Sequence, residues 1–160
     1  METTGMDREL SKDSELILNQ AREEAKKHNH KFIGSEHLLL AILTLKEGSV
    51  VDLALTALGV TATQLREDIE TQIGVGPDHQ CPDQHPLTPR TRKIIALARK
   101  EARLLGAQCD EPEHLLLGIL READGVAGKV LLARDFELDM LRQEILKVPM
   151  VLQKRMELLS

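Results

Sequence analysis

The chain has 160 residues and a formal charge of −5, with two Phe and no Trp or Tyr. An acidic chain without aromatic platforms lacks the basic track and stacking surfaces of a nucleic-acid binder, so that class is set aside. Its aliphatic apolar content suits helix-on-helix packing rather than a β-rich fold. Two cysteines make no disulfide framework, no run of about 18 apolar residues spans a membrane, and Met1–Gly5 lacks a signal-peptide pattern. A cytoplasmic protein with no membrane association is expected.

The first helix begins at Ser11, a good N-cap residue, and turns Ile17, Ala21 and Ala25 inward. Asn29 ends it, a residue type that tolerates the left-handed conformation of a helix C-terminus. A second helix starts at Ser35-Glu36 and is apolar almost all round from Leu38 to Leu43, as a central buried helix is. Gly48 is expected to close it. A third runs from about Val50 to Leu58, and a fourth, capped by Thr61, from about Ala62 to Ile73.

Residues 74–86 read as a Gly- and Pro-rich linker. Within it His79, Cys81, Asp83 and His85 are all metal-ligand types. The lone cysteine, the absence of C-x-x-C and Pro82 favour a plain polar linker, so no metal and no cofactor are expected.

The chain then repeats itself. Ser35-Glu36-His37-Leu38-Leu39-Leu40 returns as Pro112-Glu113-His114-Leu115-Leu116-Leu117, 77 positions on. Ile17, Ala21, Arg22, Glu24 and Ala25 align with Ile94, Ala98, Arg99, Glu101 and Ala102 at that offset, and Gly48 with Gly125. The second copy starts at Thr88-Pro89, ends its first helix at Gly106, starts its second at Pro112-Glu113 with Gly125 expected to close it, and continues with helices near 126–134 and 138–147. An internal duplication of this length defines an all-α architecture of two four-helix repeats, residues 10–73 and 87–148. The tail 149–160, with Met150, Val151, Leu152, Met156, Leu158 and Leu159, is expected as a short ninth helix or an adhesive tail.

HExxH, GxSxG and P-loop strings are absent, so catalysis is not expected. The candidate site is the twice-kept Glu-His pair: Glu36 and His37, with Ser35 before them, and Glu113 and His114. Two readings stand. A first-turn carboxylate complements the helix dipole while the His bonds a neighbouring loop, or the pair contacts a ligand.

Gly34-Ser35-Glu36-His37-Leu38-Leu39-Leu40-Ala41-Ile42-Leu43 resembles the core of the Clp N-terminal repeat, G-T-E-H-L-L-L-G-L-L. The run from Leu87-Thr88-Pro89-Arg90 through Glu113-His114-Leu115-Leu116-Leu117-Gly118 to Gly125-Val126-Ala127 is similar to the ClpC-type second repeat. The resemblance covers about Leu10 to Val148. It implies one compact domain of two pseudo-symmetric repeats that docks adaptors and substrates for a Clp AAA+ chaperone. It further implies that Glu36 and Glu113 occupy the positions associated with recognising phosphorylated arginine. Pro112, Asp110 and Glu111 depart from the family pattern and place acid beside Glu113, which makes Glu36 the preferred site. The resemblance also admits a free-standing accessory that binds a ClpP-type protease core, with the tail as contact.

Overall fold

The computed structural model describes residues 10–76 and 85–159. Eight α-helices follow one another: α1 Lys12–Lys27, α2 Ser35–Ile42, α3 Val50–Ala57, α4 Ala62–Gln72, α5 Pro89–Leu104, α6 Pro112–Glu122, α7 Val126–Ala133 and α8 Leu138–Leu159. No strand occurs among the described residues, and no helix is long and apolar enough to cross a membrane. His79, Cys81 and Asp83 lie outside the described residues.

Helix starts follow local chemistry. The hydroxyls of Ser11, Ser49, Thr61 and Thr88 each accept a hydrogen bond from the backbone N–H three residues on. Thr61 and Gln64 complete a reciprocal capping box. Pro89 opens α5, where its missing N–H costs nothing. At the ends of α1 and α5, Asn29 and Gly106 take the left-handed conformation, with φ of 55° and 74°.

Gly125 departs from its expected role. Gly48 is left-handed (φ 88°), but Gly125 has φ −79° and caps the start of α7, while Ala123 (φ 68°) turns the chain after α6. Gly125 is required instead by close approach. A Cβ there would lie 2.6 Å from the Ser35 hydroxyl and 2.7 Å from Arg90 Cδ. The segment after Val148 also differs: 149–159 runs on from α8 rather than forming a separate helix, with Pro149 inside.

The core centres on α2 and α6, where every residue of Leu38–Ile42 and Leu115–Ile119 is buried. Small residues bring their partners close. A Cβ on Gly118 would meet the Ile94 carbonyl at 2.5 Å, so α5 and α6 pack backbone against backbone.

The two repeats interlock. Ser14 on α1 donates its hydroxyl to the Asp110 carbonyl of the other repeat at 2.7 Å. Its counterpart Thr91 on α5 donates to the Ile33 carbonyl at 2.9 Å. Short parallel bridges, Leu10 with Asp110 and Ile33 with Leu87, run beside these bonds. Each repeat therefore fixes the segment leading into the other's central helix.

Within each repeat the first and fourth helices share a buried ion pair. Glu24 meets Arg66 at 3.3 Å, and Glu101 meets Arg142 at 2.7 Å and Arg121 at 2.9 Å. The Arg142 hydrogen bond outweighs the burial penalty and holds the Glu101 carboxyl below its ordinary range, with Arg121 adding to the effect. Removing Arg142 leaves the fully buried Glu101 carboxylate with Arg121 alone, so Arg142→Ala should cost about 3 kcal/mol of stability. Breaking the exposed Lys26–Glu23 pair with Lys26→Ala should cost at most about 1 kcal/mol. Urea denaturation of the two variants gives the comparison.

Candidate functional site

Helix α2 opens at Gly34, which has no side chain to cap the following N–H groups. The reverse half of a cap is present: the Gly34 N–H donates to His37 Nδ1 at 2.9 Å. A backbone N–H can only donate, so Nδ1 carries a lone pair and the neutral ring has its proton on Nε2. That Nε2–H donates to His30 Nδ1 at 2.7 Å. His28, whose ring lies 5.9 Å from that of His30, donates from Nδ1 to the Glu24 carbonyl at 2.9 Å.

His114 does in α6 what His37 does in α2. Its Nδ1 accepts from the Glu111 N–H at 2.9 Å. Both histidines are thus buried helix caps, and the geometry accounts for them without a ligand. Ser35 is also committed internally: its hydroxyl is buried and accepts from the Ala127 N–H of α7 at 3.4 Å.

Glu36 is placed differently. It is half-buried, and its carboxylate folds back over Gly34 without a hydrogen-bond or ion-pair partner among the described residues. It lines a groove of about 760 Å³ with Lys31, Phe32, Thr88 and Arg90. Phe32 is 53% exposed, the groove's one large apolar contact. The groove is built by both repeats, because Arg90 begins α5 and Val126, also in its wall, begins α7. Arg90 Nε donates to Glu122 at 3.1 Å. An N-terminal helix end, one carboxylate and two cations share this space.

The corresponding cavity of repeat two, about 320 Å³, contains Glu113 but a different set of neighbours. Asp13 occupies the position equivalent to Arg90, and Glu111 that of Gly34. Burial, then repulsion from Glu111 and Asp13, pushes the Glu113 carboxyl up to about 7, against its own backbone N–H. A phosphate would meet three acids there.

His30, Glu36 and His37 have donor atoms within 4.8 Å of one another, which raises a metal. The donor set does not fit one. Ligation by His37 Nε2 requires the proton to move to Nδ1, where it would face the Gly34 N–H. His85, the described member of the linker's ligand types, is buried with neither ring nitrogen hydrogen-bonded among the described residues.

Sequence reasoning gave His30 only a helix-ending role and did not single out Lys31, Arg90 or Asp13 as site residues. The signal for the last two was available, since the duplication that pairs Glu36 with Glu113 also pairs Arg90 with Asp13.

The Clp repeat (R) N-terminal domain model matches residues 9–145. The chain belongs to this family. It is 37% identical over 135 residues to the Negative regulator of genetic competence ClpC/MecB of Bacillus subtilis, covering 84% of this chain but 16% of that protein. The N-domain of ClpV from Vibrio cholerae has the same fold, with TM-score 0.74 and 19% identity over 92% of this chain and 90% of that one. A complex of the ClpV N-domain with VipB peptide superposes at TM-score 0.69, with 18% identity over 88% and 86%.

Burial, reinforced by the charges of His30, His28 and His85 and opposed by Glu24, lowers the His37 pKa from 6.5 to about 4. Between those values the unfolded chain binds a proton that the folded chain excludes, so stability is full above about pH 6.5 and is lost as pH falls toward 4. The loss from this one group should reach about 3 kcal/mol. His37→Gln keeps an acceptor at the capping position and should remove that part of the acid sensitivity, as read by urea denaturation at stepped pH.

Proposed function

We propose that this chain is a non-catalytic recognition domain that binds segments of substrates or adaptors for Clp-dependent unfolding and proteolysis, with the groove at Glu36 as its contact. One observation carries the reading: the groove joins an unpartnered carboxylate, the N-terminus of α2, and the cations Lys31 and Arg90. Phosphorylated arginine suits that set. Glu36 clamps the guanidinium, while the helix N–H groups, Lys31 and Arg90 receive the phosphate. The peptide-bound state of the ClpV N-domain supports peptide binding as a capacity of this fold.

The acid-lined cavity around Glu113 opposes a phosphate, so the two repeats are not equivalent in this reading. An arginine-phosphorylated protein should lose about tenfold or more in affinity with Glu36→Ala and little with Glu113→Ala, measured by titration calorimetry. Unchanged affinity in both variants would remove the phosphoarginine version.

A second reading rests on α8. Its segment 149–159 carries Met150, Met156, Leu158 and Leu159 between 71% and 87% exposed, and contact with a ClpP-type core through this stretch would cover them. Replacing Met156, Leu158 and Leu159 with Ser should abolish co-purification of such a core; retention would exclude the tail as its contact.

A further inference from the structure

We propose that the outer face of α5 is a docking surface for an acidic segment of a protein partner, separate from the groove at Glu36. α5 holds six basic residues and a single acid, Glu101, which is buried and engaged by Arg121 and Arg142. Arg92, Lys93, Lys100 and Arg103 are exposed, and none has a carboxylate within 4.0 Å among the described residues. At about 100° per residue, these four and the exposed Ala96 and Leu104 fall within an arc of about 120°. They form one stripe about 16 Å long.

Packing does not account for this charge. The same helix face is solvent-exposed in repeat one, where Glu15 and Glu23 stand at the positions of Arg92 and Lys100. The fold thus accepts acids at two of the four cation positions of α5, with Leu16 and Lys26 at the other two. Elsewhere the protein pairs many of its basic residues, as with Arg66, Arg134 and Arg142, whereas these four are left open.

The far end of the stripe adds an apolar seat. Leu104 is 67% exposed and lies in a depression of about 370 Å³ with Lys100, Arg103 and Arg121. An aliphatic side chain flanked by carboxylates fits it. With a total charge of −5, the residues outside the four cations carry −9 together. An extended polyanion, such as a nucleic acid, would meet that opposing field, while a short acidic segment meets only the stripe. An acidic peptide stretch is therefore the favoured occupant.

The test uses the full chain and a fluorescent peptide of about 16 residues with Glu at every fourth position and one central Leu, long enough as a helix to span the stripe. Lys100→Glu with Arg103→Glu should weaken binding at least about tenfold. Lys147→Glu with Lys154→Glu, on α8, makes the same change in net charge and should leave affinity within about twofold. Wild-type affinity should fall as salt rises from about 50 to about 300 mM. Equal losses in both double variants, or no binding by the wild type, would overturn the proposal. So would a duplex nucleic acid that displaces the peptide and depends on Lys100 and Arg103 for its own binding. Circular dichroism of both variants confirms that exposed substitutions have left the fold intact.

Discussion

Two side-chain hydroxyls hold this domain in register. Ser14 and Thr91 sit one turn into equivalent helices, and each reaches into the opposite repeat to bond the carbonyl of Asp110 or Ile33. Those carbonyls lie one residue before Glu111 and Gly34, which open α6 and α2. The start of each central helix is thereby set by the partner repeat. Everything the candidate sites offer, from the N-terminus of α2 to the position of Glu36, depends on that anchoring.

The interlock also explains how duplicated halves diverge without losing the fold. In repeat one, Ser35 lends its hydroxyl to the start of α7, where Gly125 has no side chain for the task. In repeat two, Pro112 replaces that serine, and α3 instead carries its own cap, Ser49. The starts of α3 and α7 thus each find one hydroxyl, by two different routes. The same exchange across the pseudo-dyad sets charge. Arg90 of repeat two furnishes one of the two cations of repeat one's groove, and Asp13 of repeat one furnishes an acid for repeat two's. The surroundings of Glu36 and Glu113 differ in sign because their neighbours come from opposite halves.

Helices were legible where the signal was local. Ser11, Thr61 and Thr88 marked starts, and the apolar runs from Leu38 and from Leu115 marked the central helices, because caps and periodicity act over three or four residues. Gly125 misled, since glycine serves both left-handed turns and close approaches, and the residues it must clear, Ser35 and Arg90, are distant in sequence. Pro149 misled in the other direction, since a proline that ordinarily ends a helix stands inside α8. The Glu24 and Glu101 alignment was visible as repetition but not as ion pairing, because Arg66 and Arg142 are some forty positions away.

Sequence by itself determined the duplication, the all-α class, most helix starts and the two positions at which a carboxylate meets a helix N-terminus. Those features rest on contacts within a single turn or on the repetition of a string. Tertiary structure decided what the repeated letters do. His37 and His114 face inward to cap their own helices, Ser35 caps another repeat's helix, and Glu36 alone of the repeat-one trio keeps its polar atoms in the groove. The physical reason is that a site's electrostatics are summed over neighbours in space, and here the deciding neighbours, Arg90 and Asp13, arrive from across the interlock.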